Sequence, residues 1–86
     1  MDKTRAVSAA DIVNSYAEED IADILYEYGE EKNSRKIAHK ILEARKTDKI
    51  ESTQKLREIV AEITPPNFLA KSLSRVFQAL RIYVTE

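Results

Sequence analysis

The chain has 86 residues, of which 43% are hydrophobic and 34% charged, and its formal net charge is −1. These values are typical of one small globular domain, and no apolar stretch is long enough to cross a bilayer. The absence of cysteine excludes disulfides and thiolate metal sites and favours a reducing, cytoplasmic compartment. The nearly balanced charge excludes a global attraction to nucleic acid, so such binding would depend on local clusters of cations.

Apolar residues at the spacing i, i+3, i+4, i+7 predict the first two helices. They are Ala9, Ile12, Val13 and Tyr16 in the first helix and Ile21, Ile24, Leu25 and Tyr28 in the second. Ser8, with Asp11 three residues later, predicts a capping box at the start of the first helix. Gly29 is predicted to end the second helix by adopting left-handed backbone geometry.

Three further helices follow from the same periodicity. Their apolar stripes are Ile37, Ala38, Ile41 and Leu42 within residues 31–46, then Leu56, Ile59, Val60 and Ile63, and finally Leu69, Leu73, Val76, Phe77, Leu80 and Val84. Ser52 or Thr53 is predicted to cap the fourth helix, Pro65 and Pro66 to end it, and Asn67 to cap the fifth. With one Gly, two Pro and no alternating strand pattern, the chain is predicted to be all-α, a compact bundle of about five helices.

Charge is distributed unevenly along these helices. Residues 18–31 contain seven acidic and no basic side chains, whereas residues 32–49 contain seven Lys or Arg and two acids. On the final helix, polar side chains fall opposite the apolar stripe. The candidates for a phosphate-facing surface are Arg35, Lys36, His39, Lys40, Lys46, Lys71, Arg75, Gln78 and Arg81. The alternative interpretation is a solvated charged face, which is what most such helix surfaces are.

Residue types that carry catalysis are scarce. His39 is the only histidine; it is predicted to lie on the surface, and no catalytic or metal-binding residue is predicted. Tyr16 and Tyr28 occupy stripe positions and are predicted to be core residues, and a single glycine cannot form a phosphate-binding loop. Arg45 falls on the inner side of its helix, so either its stem covers the core while its guanidinium reaches out, or the helix frays before it.

Five motifs occur in a fixed order along most of the chain. They are Y-G-E-E at residues 28–31, R-x-I-A at 35–38, I-x-x-A-R at 41–45, T-x-x-L-x-E-I at 53–59 and F-Q-A-L-R-I-x-V at 77–84. Together they resemble the helical insert of the MraW/RsmH methyltransferase family, and residues 1–4 and 8–16 are similar to the segment through which the family's catalytic domain enters that insert. Two positions depart from the family pattern. Thr85 stands where the family has Asn, and residues 69–75 share only Arg75 with the family's H-P-A-T-R.

The resemblance implies an S-adenosylmethionine-dependent enzyme that methylates cytosine N4 in 16S ribosomal RNA. The family's fold is a class I catalytic sheet domain interrupted by a helical domain that packs like a sterile-alpha-motif bundle. Residues 1–86 would be that substrate-recognition insert, without the catalytic domain. The resemblance assigns the cofactor loop to the sheet domain, so this segment alone is expected to bind no cofactor and to be inactive. The expected partners are small-subunit ribosomal RNA and the catalytic domain of the same chain, with no membrane.

Ile82 does not fit the apolar pattern of the final helix, because it falls on the side opposite Leu73 and Leu80. With Ala79 and Tyr83, it is predicted to pack on the catalytic domain, and the exposed strip would also allow two copies to pair through their final helices. The interpretation from another class of protein is a free-standing helical adaptor whose acidic second helix binds a basic protein partner.

Overall fold

A computed structural model describes residues 8–85 of the chain. They form five helices: α1 Ala9–Ser15, α2 Glu18–Gly29, α3 Ser34–Thr47, α4 Thr53–Ile63 and α5 Pro66–Thr85. This part of the chain contains no strand, so the predicted all-α bundle of about five helices is confirmed. None of its helices combines the length and apolar character that a membrane span requires. The similarity proposed for residues 1–4 lies outside the described residues.

All five helices share one hydrophobic core. α2 packs along α5 and α3, α4 contacts both α3 and α5, and the short α1 also lies against α3 and α5. Side chains with no exposed surface occupy the centre: Ile12, Ile21, Ile37, Ile41, Val60 and Val76. Tyr16 and Tyr28 are half-buried and pack against this core, which confirms their predicted place. Because burying one such Ile contributes about 1.5–3 kcal/mol, the apolar stripes provide most of the force that assembles the bundle.

The predicted role of Gly29 is wrong. Gly29 is the last residue of α2 and is buried, and the left-handed residue is Glu30, with a φ of 55°. A Cβ built on Gly29 would lie 2.9 Å from the Ala79 Cβ and 3.1 Å from the Arg75 carbonyl carbon, and closer still to that carbonyl oxygen. Glycine is therefore required here because α2 and α5 approach each other closely, whereas a non-glycine residue makes the turn.

The start of α3 is later than the predicted residue 31. Glu31 is buried, and its Oε2 accepts a hydrogen bond from the Asn33 backbone N–H over 2.9 Å. Its carbonyl oxygen accepts another from the Ser34 N–H over 3.2 Å. These two bonds hold residues 31–33 in a turn, so the helix begins at Ser34.

Two predicted helix caps are confirmed and one is wrong. Ser8 and Asp11 exchange capping-box hydrogen bonds at the start of α1, and Ser52 accepts a backbone hydrogen bond from three residues later at the start of α4. Asn67 lies inside α5, which begins one residue earlier at Pro66. Proline suits the first helical position because its fixed φ is already helical and its missing N–H would have no partner there.

Two polar side chains tie α1 to the rest of the bundle. α3 continues to Thr47 without fraying at Arg45, and the Arg45 Nη1 donates to the Val13 carbonyl oxygen over 3.1 Å. The Asn14 Oδ1 accepts from the Ile50 N–H over 2.9 Å, and its Nδ2 donates to the Ile50 carbonyl over 2.8 Å. Each side chain thus satisfies backbone groups that are partly removed from water.

Candidate nucleic-acid interface

The candidate residues of α3 lie on its outer side, because its apolar stripe faces the core. Arg35, Lys36, His39 and Lys46 are exposed, and Lys40 is half-buried. Arg35 also borders a small cleft at the α2–α3 junction, together with Lys32 and Tyr26, whose side chain is largely exposed. The sequence therefore predicted correctly that these polar side chains lie outside the core.

Two α3 candidates lie beside carboxylates. The His39 Nδ1 is 3.5 Å from the Glu18 Oε2, and its Nε2 is 3.2 Å from the Glu43 Oε2. The Lys40 Nζ is 3.0 Å from the Glu62 Oε1, and this hydrogen bond raises the pKa of Lys40 above its ordinary value. Exposed pairs of this kind contribute little to stability. Their carboxylates nevertheless oppose the approach of a phosphate to this part of α3.

α5 presents a polar side to solvent, and the cations on that side are not paired with carboxylates in the part of the chain that the structure describes. Lys71, Gln78 and Arg81 are exposed, and Arg75 is half-buried. Within residues 8–85, no carboxylate lies within ion-pair distance of the three cations. α3 and α5 pack on shared neighbours rather than extensively on each other. The two basic segments therefore lie on helices that share few direct contacts, and they differ in how far their charge is neutralised.

The three residues predicted to face a catalytic domain have different environments. Ala79 has no exposed surface, because α5 meets α2 at this point. The prediction is therefore wrong for Ala79. Tyr83 is half-buried, and its ring makes edge-to-face contacts with Tyr16 and Tyr28 at centroid distances of 6.0 and 5.6 Å. Ile82 is partly exposed and remains available for contact with another domain.

The tyrosine cluster lies on an acidic part of the surface. The hydroxyls of Tyr16 and Tyr83 are 3.4 Å apart, and this hydrogen bond, with a contribution from burial, raises the pKa of Tyr16. Asp20, Asp23 and Glu27 line the same cleft. Because three carboxylates border these rings, this end of the bundle repels phosphate and is unsuited to stacking an RNA base.

An open groove of about 630 Å³ runs between α4 and α5. Its half-buried lining is apolar, from Leu73 and Phe77. Its exposed lining consists of Arg57, Ala70, Ser74, Gln78 and Arg81, with no acidic residue. Arg57 was not among the sequence candidates, because α4 carries cations and carboxylates side by side and shows no basic stripe. Only the packing of α4 beside α5 reveals that Arg57 and Arg81 line one groove.

The groove between α3 and α4 has the opposite character. Its charged lining mixes both signs: Lys40, Glu43, Asp48, Lys55, Glu58 and Glu62. The Lys55 Nζ lies 3.3 Å from the Asp48 Oδ2, so its cations are compensated by neighbours. Among residues 8–85, no carboxylate lies within ion-pair distance of Arg57 or Arg81. The α4–α5 groove is thus the stronger candidate for an anionic ligand.

The charged side chains of this domain lie on its surface grooves and clefts. Within residues 8–85, no group of three or more His, Asp or Glu side chains is placed to hold a metal ion. The one glycine of the chain, Gly29, packs at the contact between α2 and α5. The α4–α5 groove combines two arginines with an apolar floor of Leu73 and Phe77, a combination that suits a negatively charged chain.

The chain belongs to the MraW methylase family, whose profile matches residues 1–86. It is 48% identical over 86 residues to the ribosomal RNA small subunit methyltransferase H of Bacteroides fragilis strain YCH46, covering 100% of this chain and 28% of that protein. It is 50% identical over 82 residues to the methyltransferase H of Deinococcus deserti, covering 92% of this chain and 27% of that protein. The corresponding protein of Sulfurihydrogenibium sp. is 47% identical over 87 residues, covering 98% of this chain and 30% of that protein. The resemblance predicted from the five motifs is confirmed, and the chain spans between a quarter and a third of the length of these relatives.

Proposed function

We propose that this chain is the substrate-facing helical domain of an S-adenosylmethionine-dependent methyltransferase acting on cytosine N4 of 16S ribosomal RNA. The observation that carries the proposal is the match of the entire chain to a limited part of ribosomal RNA small subunit methyltransferases H. The complete enzyme would use S-adenosylmethionine and work in the cytoplasm, where its ribosomal substrate is assembled.

The assignment to substrate binding rests on the character of the domain. A methyltransferase has to hold both its cofactor and its RNA. Gly29, the only glycine, is buried between two helices and cannot contribute to a cofactor loop. The surface instead offers cations, which suit RNA phosphates through charge and hydrogen bonding. We therefore assign the chemistry to the part of the enzyme that relatives have beyond the matched region.

The proposed RNA-facing surface is centred on α5. Lys71, Arg75, Gln78 and Arg81 carry its polar side, and their cations have no ion-pair partner among residues 8–85. On α3, the exposed Arg35, Lys36 and Lys46 form a second set of proposed contacts. We propose that His39 and Lys40 make only peripheral contacts with RNA, because the carboxylates beside both weaken their attraction for phosphate.

Ile82 is the proposed contact with the catalytic domain, and Tyr83 would support it from the aromatic cluster. Ile82 is partly exposed beside the cations of α5, and burying an Ile contributes about 1.5–3 kcal/mol. Ile82→Asp should therefore lower the melting temperature of the complete enzyme and leave that of this chain nearly unchanged. Equal losses in both would show that Ile82 belongs to the core of the bundle itself. Pairing of two copies through the same strip would appear as a dimer in analytical ultracentrifugation.

The proposed function is tested with the longer enzyme that contains this chain. Small-subunit particles from cells lacking the enzyme would be incubated with the purified protein and labelled cofactor, and nucleosides from the RNA would be identified by mass spectrometry. The expected product is N4-methylcytidine in 16S ribosomal RNA. Methylation of another base, or of no RNA, would refute the proposal. The isolated chain should bind no S-adenosylmethionine in calorimetric titrations, and saturable micromolar binding would show that the domain division is wrong.

A further inference from the structure

We propose that the groove between α4 and α5 holds a single strand of the RNA substrate, with Arg57 and Arg81 contacting its phosphates and Phe77 offering an apolar surface to a base. This inference rests on the proposed function, which supplies RNA as the substrate, and deepens it by locating the strand. It also adds Arg57 to the interface, a residue on a helix whose sequence gives no sign of a basic surface.

The charge of the groove indicates a polyanion. Its lining contains two arginines and no acidic residue. In the α3–α4 groove, by contrast, the cations Lys40 and Lys55 have carboxylate partners at 3.0 and 3.3 Å. An arginine without a partner keeps its five N–H donors for a ligand, and the guanidinium fork matches phosphate geometry. The groove therefore attracts phosphate where the neighbouring groove does not.

The shape of the groove indicates a strand that passes along it. It is open to solvent along α5, and its volume of about 630 Å³ is within the range of roughly 300–1,000 Å³ that is typical of small-ligand sites. Ser74 and Gln78 are four residues apart on α5, and Arg81 follows three residues later. Residues at this spacing share one helix face and lie about one turn, or about 5.4 Å, apart. Hydrogen-bond donors thus recur along the groove at intervals of about one helical turn, so that they can contact successive phosphates of an extended strand.

The proposed chemistry requires a single strand near the enzyme. The N4 amine of cytosine takes part in base pairing, so an enzyme that methylates it must act on an unpaired or flipped base. The nucleotides next to such a base are unstacked and expose their faces, which proteins contact with aromatic and apolar side chains. Phe77 is half-buried in the groove lining and can make that contact without leaving the core.

The test uses the 86-residue chain and a ten-nucleotide single-stranded oligocytidylate RNA. The RNA is titrated into isotope-labelled protein, and the resonances of backbone amides and arginine side chains are followed by NMR. We expect saturable changes at Arg57, Ser74, Gln78 and Arg81. Changes confined to α3, or no binding at low salt, would overturn the inference.

Two double variants make the test quantitative. Arg57→Gln with Arg81→Gln removes two charges from the groove, and Lys32→Gln with Lys49→Gln removes two exposed charges outside its lining. The groove variant should raise the Kd at least tenfold, and it should reduce the slope of log affinity against log salt by about 1.4, since each phosphate contact on a single strand contributes about 0.7. The control variant should change the Kd by no more than about twofold, because its charges act only at long range.

Equal losses of affinity in the two variants would overturn the inference, since they would show diffuse attraction to the whole surface. So would wild-type affinity in the groove variant. Thermal melts of both variants establish that the fold is intact. Failure of the inference would leave N4-methylation by the longer enzyme unaffected, so it is distinguishable from failure of the proposed function.

Discussion

Replacing Gly29 by Ala tests the close contact between α2 and α5. An added Cβ would lie 2.9 Å from the Ala79 Cβ and 3.1 Å from the Arg75 carbonyl carbon. Nonbonded carbon atoms are most stable at about 3.5–4.0 Å. None of these neighbouring atoms can rotate away, because they belong to the α5 backbone or are attached directly to it. The two helices would therefore have to move apart.

The expected magnitude is a balance of two effects. Overpacking a core contact costs about 1–3 kcal/mol, and the upper part of that range applies because the obstructing atoms are rigid. Ala gains about 0.5–1 kcal/mol over Gly in a helix interior, and less at the last residue of α2. The expected net loss is about 2 kcal/mol, which lowers the melting temperature of a domain of this size by about 10 °C.

Circular dichroism melts of the chain measure this loss, and Glu30→Gly is the matched control. Glu30 has a φ of 55°, which is strained for a residue with a side chain, so glycine there should stabilise the chain by a few tenths of a kcal/mol to about 1 kcal/mol. The adjacent substitutions thus have opposite expected signs. A higher melting temperature for Gly29→Ala would show that α2 and α5 do not approach as closely as the structure indicates, and the reasoning would fail.

Three other predictions concern half-buried polar side chains of the bundle. Asn14→Ala should lower the free energy of unfolding by about 1–3 kcal/mol, since it leaves both backbone groups of the buried Ile50 unpaired; denaturant titration measures the loss, and a change under 0.5 kcal/mol would contradict it. Arg45→Met keeps the apolar stem but removes the hydrogen bond to the Val13 carbonyl, so it should cost about 1–2 kcal/mol, and amide exchange in α1 should accelerate. Because its pKa is raised in the folded state, Tyr16 adds to the free energy of unfolding fully below the unfolded pKa of about 10, and this contribution is lost as pH rises through the folded pKa. Tyr16→Phe should therefore flatten the decline of the free energy of unfolding at alkaline pH, and an unchanged decline would refute the assignment.

The class of fold could be predicted from the sequence, because each helix is specified by residues close together in the chain. The spacing of Ile37 and Ile41 gives a stripe at the helical period, and Ser8 and Asp11 satisfy backbone groups within one turn. The ordered motifs also identified the family. These signals are local, so they can be recognised in the sequence without knowledge of how the helices pack.

The contacts between residues of different helices could not be predicted from the sequence and depend on the packing of the whole bundle. Gly29 is compatible with either a left-handed turn or a close helix contact, and the approach of α5 selects the second. Ala79 is on the edge of its helix stripe and is buried because α2 covers that edge. Arg57 becomes part of a cationic groove because α4 packs beside Arg81. Distances between helices depend on how all the side chains fit together, and local periodicity does not encode them.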